Sequence, residues 1–411
     1  MNTDKKVKLN VNSEIGKLKA VLLHKPGKEL ERLTPDLLET LLFDDIPWLK
    51  AMRSEHDDFA GILRGWGTEV YYVDELLTDI LEDEAVKEEF ANEMLEVSQI
   101  RHEKLRRPLL SKLMEKSAEE VTGIAIAGFE KADVGGVHYS DSLWDSINRD
   151  YPFYVNPVPN LYFTRDPGAV IANGFSINSM YTEARRRESG LFRWIYQYHP
   201  VFDSAERTLW YDDSQPYYIE GGDILVLAKD VIAIGCSQRT STMAIESIAH
   251  NLFSAREELK EILVIHIPPV RAFMHLDTVF TMVDYDKFTI YPGIEDSLKV
   301  YKLQRGPRGG FKVSSEKSLI STLKKSLNLP AIDLIQSGGG DAITAAREQW
   351  NDSTNTLAIA PGVVVTYSRN ERSNETLRQH GIEVLETYGS ELVRGRGGPR
   401  CMSCPLSRET L

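Results

Sequence analysis

The stretch Tyr218-Ile219-Glu220-Gly221-Gly222-Asp223-Ile224-Leu225-Val226-Leu227 contains the pattern that decides the fold. An apolar lead-in is followed by a polar turn with carboxylates and then by a β-rich apolar run. Residues 160–171, 273–283 and 334–344 have the same pattern. The stretches recur roughly every 55–60 residues, and an internal repeat of this kind is typical of propellers and pseudo-symmetric barrels.

The N-terminal region supplies a further unit of the same type. Residues 15–27 have the composition of a strand that ends at a Pro-Gly turn, helices are predicted after Pro35 and over 48–63, and residues 70–73 are strand-like. Helical segments over 241–252 and 315–327 separate later repeats. The sequence therefore predicts an α/β fold, a five-unit pseudo-symmetric α/β propeller whose polar turns converge on one central cleft.

A segment of different composition interrupts the repeats. No glycine occurs between Gly67 and Gly123, and apolar residues recur there at helical spacing. We predict an inserted α-helical subdomain over 75–150 and a catalytic propeller formed by 1–74 and 151–411. The alternative is that these helices belong to the main core.

Composition limits the classes of function. The 411 residues carry a net charge of -13, which disfavours nucleic acid as a partner. The sequence has neither a visible signal peptide nor an apolar run of membrane-spanning length, so we expect no membrane association. Three cysteines do not form a disulfide framework in a chain of this length. These features predict a cytoplasmic protein whose thiols stay reduced.

Cys401 is the strongest candidate nucleophile. It follows the Gly-rich basic loop 395–400, and nearby positive charge favours the reactive thiolate. His275 and Asp277 form a His-x-Asp pair, which on a strand would present an imidazole and a carboxylate on one face. A buried structural histidine and a metal ligand are the alternatives for His275.

The repeat pattern adds carboxylates and arginines to this set. The repeats place five residues at equivalent turns, and pseudo-symmetry predicts that they converge around one axis: Asp166, Glu220, Asp223, His275 and Asp277. Arg239 and the run 185–187 can bind a carboxylate through the bidentate guanidinium. Together they predict a cysteine enzyme that acts on a zwitterion with a cationic side chain.

Two other interpretations of the cysteines remain open. Cys401 and Cys404 form a Cys-x-x-Cys motif, which suggests redox or zinc chemistry, but the chain has no second such pair. Mild oxidation could link these two thiols reversibly. Cys236 is interpreted as a strand-end residue.

Several long motifs make the chain similar to one family, the arginine deiminases of the guanidino-group-modifying (pentein) superfamily. These motifs are residues 13–19, 42–47, 160–166, 219–223, 273–284, 347–352 and 389–403. The resemblance covers nearly the whole chain. It implies a five-unit α/β propeller with a helical insertion, in agreement with the repeat pattern.

The resemblance also implies roles for individual residues. Cys401 would attack the guanidinium carbon of free L-arginine, and His275 would protonate the departing ammonia and then activate water. Asp166 and Asp277 would bind the guanidinium nitrogens, with Glu220 as a proton shuttle. The implied substrate-binding residues are Asn160, Phe163, Arg185, Asp223, Arg239, Gly395 and Arg396, the last two on a loop that moves to admit substrate.

The implied reaction needs no metal or organic cofactor. It passes through an S-alkylthiouronium intermediate to citrulline and is the first step of arginine fermentation, in a homo-oligomer (dimer or tetramer). Four alternatives are an amidinotransferase, a methylarginine hydrolase, a metal-dependent hydrolase and a non-enzymatic acidic interaction protein. The metal-dependent hydrolase would use His275, Asp277, Glu220 and Asp223.

Overall fold

The computed structural model describes residues 6–134, 143, 147–148, 150–202, 207–307 and 310–411. The strands within these residues are β1 Leu18–Leu23, β2 Glu69–Tyr72, β3 Phe129–Glu130, β4 Phe153–Val155, β5 Gly168–Ile171, β6 Gly174–Ile177, β7 Leu209–Tyr211, β8 Ile224–Ala228, β9 Val231–Cys236, β10 Glu261–His266, β11 Phe280–Met282, β12 Lys287–Ile290, β13 Lys299–Arg305, β14 Phe311–Glu316, β15 Asp333–Gln336, β16 Leu357–Ala360, β17 Val363–Tyr367, β18 Glu383–Thr387 and β19 Cys404–Arg408.

Helices connect these strands. They are α1 Lys28–Glu31, α2 Leu38–Leu41, α3 Leu49–Gly65, α4 Val73–Leu81, α5 Glu84–Val97, α6 Glu103–Met114, α7 Ala118–Ala127, α8 Arg186–Tyr198, α9 Thr242–Ala255, α10 Leu319–Ser326, α11 Ala342–Gln349 and α12 Glu371–Gln379. None of the helices in the described part of the chain combines the length and the apolarity that crossing a membrane requires.

Five three-stranded units share one topology. Each unit has an antiparallel pair followed by a parallel third strand: β19-β1-β2, β5-β6-β7, β8-β9-β10, β11-β12-β15 and β16-β17-β18. A parallel neighbour requires a crossover, and in every unit a helix lies between the second and third strands. The predicted five-unit propeller is therefore confirmed.

The two ends of the chain close the propeller together. Strand β19, near the C-terminus, pairs antiparallel with β1, with Cys404 opposite Leu22. The pair β13–β14 extends the third unit at the free edge of β10. This closure places the turn that contains Cys401 beside the turns of the other units.

The fourth repeat was predicted at the wrong stretch. Residues 334–344 contain β15, which is the third strand of its unit, followed by a glycine-rich turn and the start of α11. The equivalent polar turn is instead 352–356, directly before β16. The glycines 338–340 resemble the Gly-Gly turn at 221–222, but they lead into a helix, which Asp341 caps by accepting a hydrogen bond from the Thr344 amide.

Most helix and strand predictions are close to the observed elements, with one clear difference. The helix predicted over 315–327 begins only at Leu319, because residues 311–316 pair with β13 as strand β14. Ser318 caps the helix by accepting a hydrogen bond from the Ser321 amide. The Ser241 side chain caps α9 in the same way.

Residues 73–127 contain the four helices α4–α7, joined by short turns, as the apolar spacing indicates. Helices α4–α7 share one hydrophobic cluster with propeller strands; the cluster includes Leu77, Leu95, Ile171 and Leu406. Residues 135–142, 144–146 and 149 of the predicted insertion lie outside the described residues. The division into an insertion over 75–150 and a propeller stays a prediction.

Candidate active site

The turn before the first strand of each unit carries polar side chains. These residues are Asp166 before β5, Glu220 and Asp223 before β8, His275 and Asp277 before β11, Asp352 and Asn355 before β16, and Cys401 before β19. Neighbouring turns are hydrogen-bonded to each other: the Gly221 amide donates to the Asp166 carbonyl, and the Arg165 amide to the Cys401 carbonyl. The convergence predicted for the turns of Asp166, Glu220 and His275 is observed, and the turns of Asn355 and Cys401 join them.

His275 lies between two carboxylates of other units. Its Nε2 is 2.7 Å from Oε2 of Glu220, and its Nδ1 is 3.7 Å from Oδ1 of Asp166. The prediction that a strand pairs His275 with Asp277 was wrong. His275 precedes a 3-10 turn, Leu276–Thr278, so the two side chains diverge and each contacts a different part of the site.

These contacts determine the charge of the imidazole. Burial opposes protonation of His275, but the charge of Asp166 and the hydrogen bond to Glu220 outweigh it and raise its pKa to about 9. Burial also opposes ionisation of Glu220. The charge of Arg239 and the bond to His275 nevertheless lower the pKa of Glu220 below its usual value. The pair therefore lies at neutral pH as imidazolium and carboxylate.

The carboxylate of Asp277 lies beside the candidate nucleophile, Cys401. Its Oδ2 accepts a 2.7 Å hydrogen bond from Nη1 of Arg400 and lies 3.8 Å from the Cys401 sulfur. Arg400 is itself held by a 3.1 Å hydrogen bond from its Nε to Oε2 of Glu14 and by the Ile224 carbonyl. The buried Arg400 therefore fixes the carboxylate beside the thiol.

The expectation of a readily ionised thiol was wrong for this structure. Burial raises the pKa of Cys401 well above its ordinary value, and the negative charges of Asp277 and Asp166 raise it further. Arg400 opposes this shift, but it is already paired with two carboxylates. The basic loop therefore neutralises nearby acids and does not ionise the sulfur.

Asp166 and Asp277 each keep one oxygen available. Oδ2 of Asp166 accepts from Nη1 of Arg185 at 2.7 Å, and Arg400 holds Oδ2 of Asp277. The other oxygen of each, Oδ1, is buried and has no hydrogen-bond partner among the described residues. Two fixed carboxylates with free oxygens suit a planar cation with several N–H donors.

Asp223 holds the turn of His275 in position. Its Oδ1 accepts from the Leu276 amide at 2.7 Å and its Oδ2 from the Ser237 hydroxyl at 2.6 Å. Burial raises its pKa to about 7 despite these bonds. Gly235 allows this close approach, because a Cβ at that position would lie 2.1 Å from Oδ1 of Asp223. Asp223 thus fixes the backbone of the turn that carries His275.

The predicted arginines contact carboxylates of the site. Besides Asp166, Arg185 donates to both oxygens of Glu188, with Nη2 at 2.8 Å from Oε2. Nη1 of Arg239 lies 3.6 Å from Oε1 of Glu220, and its guanidinium lies over the Tyr181 ring. Both arginines are buried.

The loop with Gly395 and Arg396 packs against aromatic side chains. The guanidinium of Arg396 lies 3.4 Å from the centroid of the Trp350 ring. A Cβ at Gly395 would lie 2.1 Å from the Tyr162 hydroxyl and 3.0 Å from Phe163. Cys401 itself is only 3% exposed, so the thiol is enclosed in this structure.

Two predicted residues line this closed region. Asn160 donates from Nδ2 to the Leu41 carbonyl at 2.7 Å, and the backbone carbonyl of Asn160 accepts from Arg185. Phe163 packs on Tyr162, with ring centroids 3.9 Å apart. Both predicted residues are buried.

The three cysteines are free thiols. Cys404 begins β19, and its sulfur lies 3.3 Å from the Gly168 carbonyl oxygen. Cys404 packs in a different hydrophobic cluster from Cys401. Cys236 is the last residue of β9, as predicted.

One group within the described residues has the arrangement of a metal site. Ligand atoms of Asp166, Glu220 and His275 lie within 4.8 Å of one another. Only two of the four ligands predicted for a metal-dependent hydrolase belong to this group. Arg185 and Arg239 flank its two carboxylates and supply positive charge there.

Two residues of the site were not predicted from the sequence. Asn355 accepts a hydrogen bond from the Cys401 amide, and Asp352 is buried near Arg396. Burial raises the pKa of Asp352 to about 7, against the opposing charge of Arg396. The available signal was the polar turn 352–356 followed by the apolar run 357–360, which matches the repeat pattern better than 334–344 does.

Solved structures share this architecture. The amidinotransferase SxtG from Microseira wollei aligns with a TM-score of 0.56 at 13% identity, covering 98% of each chain. The N-terminal domain of the cyanobacterial arginine dihydrolase ArgZ aligns with a TM-score of 0.53 at 14% identity, covering 95% of this chain and 98% of that one. A dimethylarginine dimethylaminohydrolase aligns with a TM-score of 0.51 at 14% identity, covering 94% and 99%. The chain therefore has the pentein fold.

Within this fold class the sequence defines the family. The family model described as arginine deiminase matches residues 39–408. Arginine deiminase from Bacillus cytotoxicus is 49% identical over 411 residues, covering 98% of this chain and 99% of the relative. Arginine deiminase 1 from Staphylococcus epidermidis has the same identity and coverage. The chain belongs to the arginine deiminase family.

Proposed function

We propose that the protein hydrolyses free L-arginine to L-citrulline and ammonia through a covalent intermediate on Cys401. The observation that carries the proposal is that Asp166 and Asp277 each have one carboxylate oxygen without a hydrogen-bond partner among the described residues, while the other oxygen of Asp277 lies 3.8 Å from the Cys401 sulfur. The names of the curated relatives support the same reaction.

The two carboxylates would bind the substrate guanidinium. A guanidinium is a poor electrophile because its charge is delocalised, so its carbon must be held close to the sulfur. Oδ1 of Asp166 and Oδ1 of Asp277 accept from different nitrogens and fix the plane of the group. Arg185 and Arg400 keep these carboxylates in place from the opposite side.

Substrate binding would also ionise the nucleophile. Burial and two nearby negative charges raise the pKa of Cys401 in the free protein. A bound guanidinium neutralises those carboxylates and adds positive charge beside the sulfur, which lowers the pKa of the thiol. The S–H proton then passes to solvent, and the thiolate forms beside the guanidinium carbon.

The covalent steps follow from the positions of Cys401 and His275. The thiolate adds to the guanidinium carbon, and the imidazolium of His275 transfers a proton to the departing nitrogen, which leaves as ammonia. The carbon–nitrogen bond breaks and an S-alkylthiouronium remains. Neutral His275 then takes a proton from water, whose oxygen adds to the carbon. Cleavage of the carbon–sulfur bond releases citrulline, and Glu220 relays protons beside the imidazole.

The α-amino acid end would bind at the residues around the loop. Arg239 and Arg396 supply positive charge for the substrate carboxylate, with Arg185 and Asn160 beside them. Phe163 lines the aliphatic part. Because the thiol is buried in this structure, we propose that the loop at Gly395 and Arg396 moves to admit arginine.

The biological setting is proposed by resemblance. We propose a cytoplasmic enzyme at the first step of arginine fermentation that acts as a homo-oligomer. The enzyme would need no cofactor. Size-exclusion chromatography with light scattering measures the oligomer directly, and a monomeric mass would refute that part of the proposal.

The decisive experiment measures citrulline and ammonia from free L-arginine with EDTA present. Wild type and Cys401→Ala are compared, with folding of both checked by circular dichroism. We expect equal amounts of both products from wild type and none from the variant. Loss of wild-type activity on chelation would favour the metal-dependent hydrolase. Absence of turnover by folded wild type would favour another guanidino substrate, tested next with methylarginines and with an amidine acceptor.

A further inference from the structure

One unit of the propeller contributes no residue to the proposed chemistry. The turn before β16, residues 352–356, lies beside the turn of Cys401, yet no residue from it has a proposed catalytic role. Asn355 in this turn is completely buried. We propose that Asn355 is a positioning residue that holds Cys401 and Asp277 in register for attack on the guanidinium carbon.

The carboxamide of Asn355 bridges the two catalytic turns. Its Oδ1 accepts a 2.9 Å hydrogen bond from the Cys401 amide, and its Nδ2 donates to the Asp277 carbonyl at 3.3 Å. The Asn355 carbonyl also accepts from the Arg400 amide at 3.3 Å. One side chain thus ties together the backbones of the nucleophile and of the carboxylate 3.8 Å from its sulfur.

The surroundings keep this bridge rigid. A Cβ at Gly398 would lie 2.7 Å from the Asn355 carbonyl oxygen and 2.9 Å from Oδ1, so only glycine allows the loop to pack so closely there. Thr354, the preceding residue, donates through its hydroxyl to the Thr278 carbonyl. The turn is therefore anchored on both neighbouring units.

The need for such a bridge follows from the fold. Asp277 and Cys401 come from different units, and Cys401 lies in a turn outside any helix or strand. Displacements of about 1 Å of a reacting group can reduce a rate about 10²-fold. The carboxamide of Asn355 supplies both the acceptor for the Cys401 N–H and the donor for the Asp277 carbonyl.

The inference rests on the proposed roles of Cys401 and Asp277. The test compares two substitutions of Asn355 with a matched control. Asn355→Ala removes both bonds, whereas Asn355→Asp keeps the acceptor, loses the donor and adds a negative charge. Asn374→Ala is the control, since Asn374 is also buried and bridges two groups through its carboxamide, without contact to the site.

The first readouts are kcat, KM and thermal stability. For Asn355→Ala we expect kcat to fall about 10²-fold with KM within about threefold of wild type, because the bonds orient the nucleophile more than they bind substrate. Asn374→Ala is expected to lose stability while keeping its kcat. If Asn355→Ala fails to fold, Gly398→Ala displaces Asn355 without removing its amide and should also lower kcat.

The second readout is the pH dependence of Cys401 alkylation by iodoacetamide. In Asn355→Ala the sulfur is free to move away from Asp277, so alkylation should begin at lower pH while turnover falls. In Asn355→Asp the added charge should move alkylation to higher pH. If Asn355 only stabilised the fold, the two substitutions would not shift the pH profile of alkylation in opposite directions.

Three results would overturn the inference. They are a wild-type kcat in folded Asn355→Ala, an equal loss of kcat in Asn355→Ala and in the control Asn374→Ala, or alkylation profiles of the Asn355 variants that match wild type. An inactive wild type would instead refute the proposed function.

Discussion

Substitution of Gly222 by alanine tests the role given to His275. Gly222 lies in the turn before β8, facing the imidazole. An alanine Cβ there would lie 2.7 Å from Cγ of His275 and 2.8 Å from its Nδ1. Carbon atoms in favourable contact are about 3.5–4.0 Å apart, so the ring must move by roughly 1 Å.

The ring cannot move this far and keep its contacts. Its Nε2 is 2.7 Å from Glu220 and its Nδ1 is 3.7 Å from Asp166. A displacement of about 1 Å in a proton donor reduces a rate about 10²-fold, which corresponds to about 2.7 kcal/mol in the activation free energy. We therefore expect Gly222→Ala to lower kcat about 10²-fold.

The assay is citrulline release at saturating arginine, with thermal unfolding recorded for each variant. Gly123→Ala is the matched control, since Gly123 is exposed in α7 and a Cβ there meets no atom within 4 Å. It should keep full activity and gain up to about 1 kcal/mol of stability. In a His275→Ala background, Gly222→Ala should cause little further loss, because its effect acts through the imidazole. A kcat within about threefold of wild type for Gly222→Ala would refute the reasoning.

Three further predictions concern ionisation and oxidation. Without substrate, the rate of Cys401 alkylation by iodoacetamide should still increase with pH above pH 9, since burial and nearby carboxylates raise the pKa of the thiol. A rate that reaches its plateau below pH 7 would contradict this. Burial disfavours charge on His24, but Asp74 and Glu29 raise its pKa to about 9, so its contribution to the free energy of unfolding is complete below about pH 6.5 and disappears as pH rises through 9. The stability difference between wild type and His24→Gln should therefore shrink over that range, as measured by thermal unfolding at each pH. Mild oxidant should inactivate the enzyme reversibly through a disulfide between Cys401 and Cys404, and a Cys404→Ser variant that loses activity just as reversibly would exclude that link.

Local sequence patterns were sufficient to predict much of the fold. The alternation of apolar runs and polar turns predicts β-strands, and its recurrence predicts the five units, because each unit repeats the same local structure. Strand period and turn residues are properties of a few adjacent positions, so they can be read without tertiary contacts. The repeat at 334–344 failed for the same reason, since a glycine-rich turn before a helix has the same local composition as one before a strand.

From the sequence alone, the repeat pattern placed five residues in converging turns: Asp166, Glu220, Asp223, His275 and Asp277. The tertiary structure added the turn of Cys401 to this group and set which side chains pair. His275 contacts Glu220, 55 positions away along the chain, and not its near neighbour Asp277. Burial and two carboxylates from other units raise the pKa of Cys401, although Arg400, directly before it in the chain, is basic. Pairing and desolvation depend on contacts between units, and these contacts form only when the propeller closes.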